Sequence, residues 1–311
     1  MNVINFNDYL FRCSSLGKLM VGVEKTGLTD KQTELLSTLY GKRSEYAAKG
    51  KFLSDTQTKQ MAELMNKRDA KPEVSQTTKS YLKNLHREVM MKRQKTIETK
   101  YTEKGITVEE KSISLYTNVF GKLLVKNKIR FADKYKTGEP DNVQGKVRDF
   151  KSSWDFSTFP MYDTEIENRD YLSQLDGYMD LTGVKEAELI YCLIDTPSNI
   201  IEDELRRLNW KSNIFNLEGE IREECIPLVV EKVSGMIYTE QGLIEFCNQL
   251  SNVKREWFED FFPLPEEMRI KVFQTEYSKE RIELMHEQIS KCREILNGYT
   301  LTLSNNIFQA V

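Results

Sequence analysis

Apolar positions along the chain fall into three periods, and each predicts a kind of element. Two similar segments, 27–43 and 52–68, repeat at a period of 25, pairing Leu28 with Leu53, Asp30 with Asp55, Leu36 with Met61 and Leu39 with Leu64. Each reads as an amphipathic helix, with Thr29 or Ser54 as its N-cap and a basic pair, Lys42-Arg43 or Lys67-Arg68, at its C-terminus. A third helical segment is expected over 76–98. From Thr107 the 3–4 spacing of Val108, Ile113, Tyr116, Val119 and Leu123 predicts a helix of about four turns, placing Glu109 inward at its first turn. Alternation over 128–135 and 145–151 predicts the two strands of a hairpin. Residues 168–182 form a further helix stopped by Gly183. The nearly continuous apolar run 188–195 fits a strand buried on both faces. Beyond Asn199 the chain reads helical and acidic, ending in a long helix over 276–297. The order helix–strand–strand–helix–strand, then helices, predicts a mixed α/β core with a helical flank.

The net charge of −3 conceals an asymmetry. Residues 1–151 carry 30 Lys and Arg against 18 Asp and Glu, and residues 152–311 carry 15 against 30. A first half at +12 suits a polyanion, and a second half at −15 suits solvent or a partner. With only His86 and His286, multi-histidine metal chemistry is excluded. The nearest approach to a P-loop, Gly17 to Gly22, continues Val23-Glu24, and neither GxGxxG nor GxSxG occurs. ATP motors, Rossmann enzymes and α/β-hydrolases are therefore disfavoured. No apolar run reaches the roughly 20 residues of a membrane span. The start lacks a secretion-type pattern and the five cysteines form no CxxC, so a reducing cytoplasm is expected.

The stretch with the most chemistry is Pro140-Asp141 followed by Asp149-Phe150-Lys151. On a strand, Asp149 and Lys151 share a face, and Asp141 at the foot of the preceding turn can come alongside. A salt-bridge cluster would use the same residues. Yet two carboxylates suit Mg²⁺, which favours oxygen donors and keeps several waters, and a neighbouring lysine could act on a water attacking a phosphodiester. Glu109 would add a third carboxylate.

This arrangement resembles the PD-(D/E)XK nuclease signature, with aspartate in the D/E slot. Three further segments are similar to the branch holding the lambda-type phage exonucleases, the YqaJ-like recombination exonucleases and the RecB nuclease domain. Gly105 to Ser112 resembles that branch's G-x-x-x-E helix start, with Glu109 as the matching acid and Glu110 as the alternative. Gln174-Leu-Asp-Gly-Tyr178 resembles its QxxxY motif. Arg12-Cys13-Ser14-Ser15 is similar to the segment these exonucleases use near a 5′ phosphate. The resemblance covers about residues 12–197. It implies a restriction-endonuclease-like mixed sheet flanked by helices. The implied organisation is an N-terminal phosphate-contacting segment (1–26), a basic helical insert (27–104), a nuclease core (105–200) and an acidic helical C-terminal region packed on the core (201–311).

The resemblance further implies Mg²⁺-dependent hydrolysis of DNA at duplex ends, with Mn²⁺ as a substitute ion. Asp141, Asp149, Glu109 and the Phe150 carbonyl would hold the metal, and Lys151 would position water or offset developing charge. Gln174 and Tyr178 would hold the DNA backbone or brace the lysine and carboxylates. Arg12, Ser14, Ser15 and Ser152 would meet phosphate, and Trp154 would stack on a base. A ring-shaped homo-oligomer and a single-strand annealing recombinase partner are implied as well. The alternative is a structure-selective or nonspecific endonuclease of the same superfamily, in repair or defence. A non-catalytic DNA-binding protein would need no such acidic cluster. The dispersed spacing of Cys192, Cys225, Cys247 and Cys292 argues against the iron–sulfur cluster of a neighbouring branch.

Overall fold

A computed structural model describes residues 4–23, 28–69, 74–95 and 99–309. In chain order these form β1 (Phe11–Arg12), α1 (Leu16–Met20), α2 (Asp30–Ala48), α3 (Asp55–Asp69), α4 (Gln76–Met91) and α5 (Lys100–Phe120). Then come β2 (Phe131–Ala132), β3 (Lys136–Gly138), β4 (Val147–Ser152), α6 (Arg169–Thr182) and β5 (Glu186–Cys192). The last elements are α7 (Ser198–Ser212), α8 (Ile226–Ser234), α9 (Glu240–Gln249), β6 (Ile270–Glu276) and α10 (Lys279–Gln309). No helix among the described residues is long and apolar enough to cross a membrane.

The chain divides into two compact units: residues 1–9, 15–93 and 283–311 in one, and 10–14 and 94–282 in the other. The acidic C-terminal third is thus shared between them. In the first unit the sequence repeat is a structural repeat. Thr29 and Gln32 bond reciprocally at the start of α2, and Ser54 and Gln57 do the same before α3, two capping boxes that satisfy otherwise orphaned N–H groups. The equivalent residues Leu36, Leu39, Met61 and Leu64 bury one another. Lys42-Arg43 do not end α2, which continues to Ala48; only Lys67-Arg68 stand in a last turn. The helix expected over 76–98 stops at Met91, and residues 96–98 lie outside the described residues.

The second unit holds two three-stranded mixed sheets, ordered β1-β3-β2 and β4-β5-β6. The largely buried β5 is central, parallel to β4 and antiparallel to β6. Successive side chains of β4 point to opposite faces. Phe150 joins Val108, Ile113, Tyr116 and Ile190 in a core beneath α5, while Asp149 meets α6 on the other face. A separate core, with Ile201, Leu205, Val229, Val233, Leu243 and Phe246, holds α7 to α9 together.

Three expectations are corrected. Residues 128–135 and 145–151 do not pair as a hairpin; β2 pairs with β3, and β4 takes β5 as its partner. Residues 270–276, read as lying among helices, form the edge strand β6. Helix α5 begins at Lys100 under a Thr99–Thr102 capping box, so Glu109 stands in its third turn rather than its first.

Candidate active site

The site is built on the free edge of β4. Arg148 and Asn142 exchange backbone hydrogen bonds, 2.8 and 3.3 Å, across a turn whose Gly145 has φ +73°, a value L side chains rarely adopt. That return brings Asp141 alongside the strand, where its Oδ2 accepts the Phe150 N–H at 2.7 Å. Because N–H and C=O of one strand residue share an edge, the Phe150 carbonyl faces the same side as Asp141. The register is fixed from the opposite end by Arg148, whose Nε donates to Glu188 on β5 at 2.8 Å, with the Tyr116 hydroxyl donating to the same carboxylate at 3.0 Å.

On the α6 face of β4, Lys151 Nζ lies 2.6 Å from Asp149 Oδ2. Gln174 Nε2 donates to Asp149 Oδ1 and to the Tyr178 hydroxyl, both at 3.0 Å; the two α6 residues are one turn apart on one helix face. From α5, half-buried Glu109 pairs with Lys126 at 2.9 Å. Glu109, Asp141, Asp149, Phe150, Lys151, Gln174 and Tyr178 all line one cleft of about 650 Å³. Exposed Glu110 does not.

Burial, then the charges of Asp149 and Glu109, push the Asp141 carboxyl up to about 7. Burial opposes the Lys151 charge most strongly, but Asp149 overrides it and the ammonium holds its proton above the usual lysine range. Burial and Asp149 likewise push the Tyr178 hydroxyl up, so it remains a donor. Asp149 Oδ2 has its ion pair with Lys151 but no hydrogen bond of proper geometry, and buried Ser153 Oγ, also on the cleft, has none. Buried polar atoms are normally satisfied. Two interacting carboxylates, Asp141 and Asp149, with the edge carbonyl of Phe150 form a hard-oxygen donor set that fits a divalent cation such as Mg²⁺. The Glu109 carboxylate, paired with Lys126, lines the cleft without closing on them as a three-carboxylate cluster.

No protein-family model matches the chain, and no curated protein matches it in sequence. Its structure is similar to that of a phage-related exonuclease from Haemophilus somnus 129PT, with a TM-score of 0.58 and 19% identity, over 95% of this chain and 97% of that one. The fold is that of a phage-type exonuclease. The alkaline exonuclease LHK-Exo of Laribacter hongkongensis gives a TM-score of 0.47 at 10% identity over 77% of this chain and 90% of that one. LHK-Exo in complex with dAMP gives 0.46 at 10% identity over 76% and 88%. The mixed α/β architecture expected from the sequence, and the expected likeness to phage exonucleases, are borne out at the level of the fold by the first of these structures.

Within this exonuclease fold the other residues singled out by sequence are placed differently. Arg12 ends β1 and Ser14 lies in the 3-10 turn after it; both are exposed and neither lines the cleft. Ser15 belongs to the first unit, ahead of α1. Ser152 lines the cleft but shares a hydrogen bond with Ser112 at 3.1 Å. The Trp154 ring is covered by the protein itself: Lys100 Nζ sits 4.5 Å from its centroid and Tyr101 meets it edge-on at 4.8 Å. Lys104, fully buried, donates to the Trp154 carbonyl at 2.7 Å.

Among the cleft residues that the sequence reading passes over, two are aromatics beside Lys151, and a glycine next to Tyr178 escapes it as well. Tyr171 places its ring 4.7 Å from Lys151 Nζ, and the 171/174/178 spacing on one helix face is a signal that could have found it. Tyr191 lies beside Lys151 in register on β5 and meets Tyr171 edge-on at 6.3 Å. At Gly138 a Cβ would stand 2.6 Å from Tyr178 Cε1 and 2.8 Å from Cys13 Sγ. Only glycine lets β3 pass this close to the Gln174–Tyr178 pair.

Proposed function

We propose that the chain is a metal-dependent deoxyribonuclease, an exonuclease hydrolysing phosphodiester bonds at duplex DNA ends with Mg²⁺, or Mn²⁺ in its place. The observation that carries this reading is the meeting of Glu109, Asp141, Asp149 and Lys151 around one cleft. The exonuclease fold supports it, as does the phage-related exonuclease that shares it. When bound, a divalent ion supplies Lewis-acid polarisation of the phosphodiester and a nucleophile near neutral pH.

The chain's own residues do the rest. Asp141, Asp149 and Glu109, with the Phe150 carbonyl, hold the ion. Lys151, kept charged by Asp149 and faced by the Tyr171 ring, donates a hydrogen bond to the attacking water or to a non-bridging phosphate oxygen. Gln174 fixes Asp149 in place. Because the Tyr178 oxygen accepts from Gln174, its own hydrogen is free to point to phosphate. Delivery of the resected product to a single-strand annealing recombinase, a homo-oligomeric assembly, a phage origin and a cytoplasmic setting belong to the same proposal.

The test supplies a 5′-phosphorylated linear duplex, its 5′-hydroxyl counterpart and a covalently closed circle, each with and without Mg²⁺. Degradation of the linear duplexes only with metal, with the circle intact, is the expected result; faster loss of the phosphorylated duplex would support an Arg12 contact. Cutting of the circle makes the protein an endonuclease instead. No cutting with Mg²⁺ or Mn²⁺ overturns the reading.

A further inference from the structure

Residues 121–130, GKLLVKNKIR, contain four cations and no carboxylate. They follow α5 and contain no regular secondary structure, yet they are not a loosely held loop. Gln144 Oε1 accepts the Val125 N–H at 2.9 Å, and Asn142 Nδ2 donates to the Val125 carbonyl at 2.8 Å. The Asn127 N–H donates to the Asp141 carbonyl at 2.7 Å, and Asn127 Nδ2 to the Pro140 carbonyl at 3.0 Å. Four hydrogen bonds therefore fasten this segment to the turn that carries Asp141. Leu124 and Asn127 face inward, while Leu123, Val125 and Ile129 are exposed at 79%, 62% and 63%. Lys122, Lys126, Lys128 and Arg130 are exposed with them. One of them, Lys126, pairs with Glu109, a residue of the cleft wall.

We propose that residues 121–130 form a fixed track for the nucleic-acid backbone, with Lys122, Lys126 and Lys128 meeting successive phosphates and the exposed aliphatic side chains lying against the sugars. The proposal rests on the nuclease reading above and adds the surface on which its substrate lies. Phosphate contacts set the register of a protein on its nucleic acid without reading sequence. A track tied to the backbone of Asp141 would set that register relative to the carboxylates themselves. Arg130, the last residue of the segment, is held by Glu139 at 3.2 Å. Such contacts are counted by salt: each phosphate neutralised on duplex DNA contributes about −0.9 to the slope of log affinity against log salt.

The experiment measures binding of the full chain to a fluorescent 5′-phosphorylated duplex by anisotropy, in EDTA, over a salt series. Lys122→Gln/Lys128→Gln is expected to make the slope shallower by about 1.8 and to weaken binding roughly 50-fold or more at 0.1 M salt. Lys211→Gln, on α7, is expected to change neither. The single variants Lys122→Gln and Lys128→Gln, each expected to remove about 0.9 from the slope, stand in should the double variant melt early. A folded variant with the wild-type slope, in a protein that does cut linear duplex, overturns the track alone. A wild type that neither binds nor cuts duplex overturns the nuclease reading, and the track falls with it.

Discussion

Replacing Asp141 by Asn should abolish cutting yet make the metal-free protein more stable at pH 8. The Asp141 carboxyl is pushed from its ordinary 3.8 to about 7, first by burial and then by the charges of Asp149 and Glu109. Between about pH 4 and 7 the unfolded chain has therefore released a proton that the folded chain keeps. Stability must fall as pH rises through that window and level off above it. A rise of three units at 1.36 kcal/mol each sets a ceiling of about 4 kcal/mol. Part of that penalty is shared with Asp149, whose own charge remains in the variant, so a gain of about 1–3 kcal/mol is expected at pH 8. The Asn side-chain oxygen can still accept the Phe150 N–H, so no hydrogen bond need be lost.

Calorimetric melting in EDTA at pH 4, 6 and 8 measures this directly, at about 2–4 °C per kcal/mol for a unit of this size. The two proteins should melt together at pH 4, where both side chains are neutral, and diverge as pH rises, the Asn variant melting higher. Adding Mg²⁺ should then raise the wild type much more than the variant, because a ligand stabilises only the state that binds it. A gap that is the same at pH 4 and pH 8, or an Asn variant less stable at pH 8, would refute the argument that crowded carboxylates await a cation here.

Lys151→Ala should reduce cutting at least about 100-fold, the scale of losing one donor to developing charge, while duplex affinity by anisotropy in EDTA stays within a few-fold; persistent cutting would remove Lys151 from its role. Gly138→Ala pushes a methyl into buried Tyr178 and Cys13, and should cost about 1–3 kcal/mol of stability and lower activity; an unchanged melting temperature would mean that β3 can shift freely. Lys126→Gln removes the ammonium that pairs with Glu109, so calorimetric titration should show tighter Mn²⁺ binding by up to about tenfold, as expected for one charge a few ångströms from the ion; unchanged or weaker binding would place the metal away from Glu109.

The parts of the fold legible in the sequence are those settled locally. Helix α6 is capped by Asn168, whose side chain accepts the Asp170 N–H, and is stopped by Gly183; both signals lie within a turn of the boundaries they mark. The nearly continuous apolar run 188–195 fits a strand buried on both faces, and most of it lies in the central β5. Helix α5 was read seven residues short because its first turns break the apolar period: the buried position there is held by Lys104, which donates its ammonium to the Trp154 carbonyl. A charged residue doing the packing of an apolar one hides a helix from any periodicity. Strand β6 escaped for a related reason. As an edge strand carrying Lys271, Gln274 and Glu276, it keeps most of its side chains at least partly exposed and leaves little alternation to read.

The candidate site was more legible than the sheet that bears it, and the reason lies in the two edges of β4. On the free edge, a short turn closed at Gly145 returns the chain by a fixed number of residues, so the interval from Asp141 to Asp149 and Lys151 is a local distance written into the sequence. On the paired edge the partner is β5, supplied from beyond α6, and alternation in β4 states which face each side chain takes but not which strand lies beside it. The hairpin with 128–135 was a reasonable inference from alternation and was wrong for that reason. Gly138 shows the same limit at one residue. Nothing near it in sequence demands glycine; the demand comes from Tyr178 and Cys13, brought against β3 from opposite directions along the chain. Spacing thus names the groups that carry the chemistry, while the residues that hold them to one another become visible only once the chain is folded.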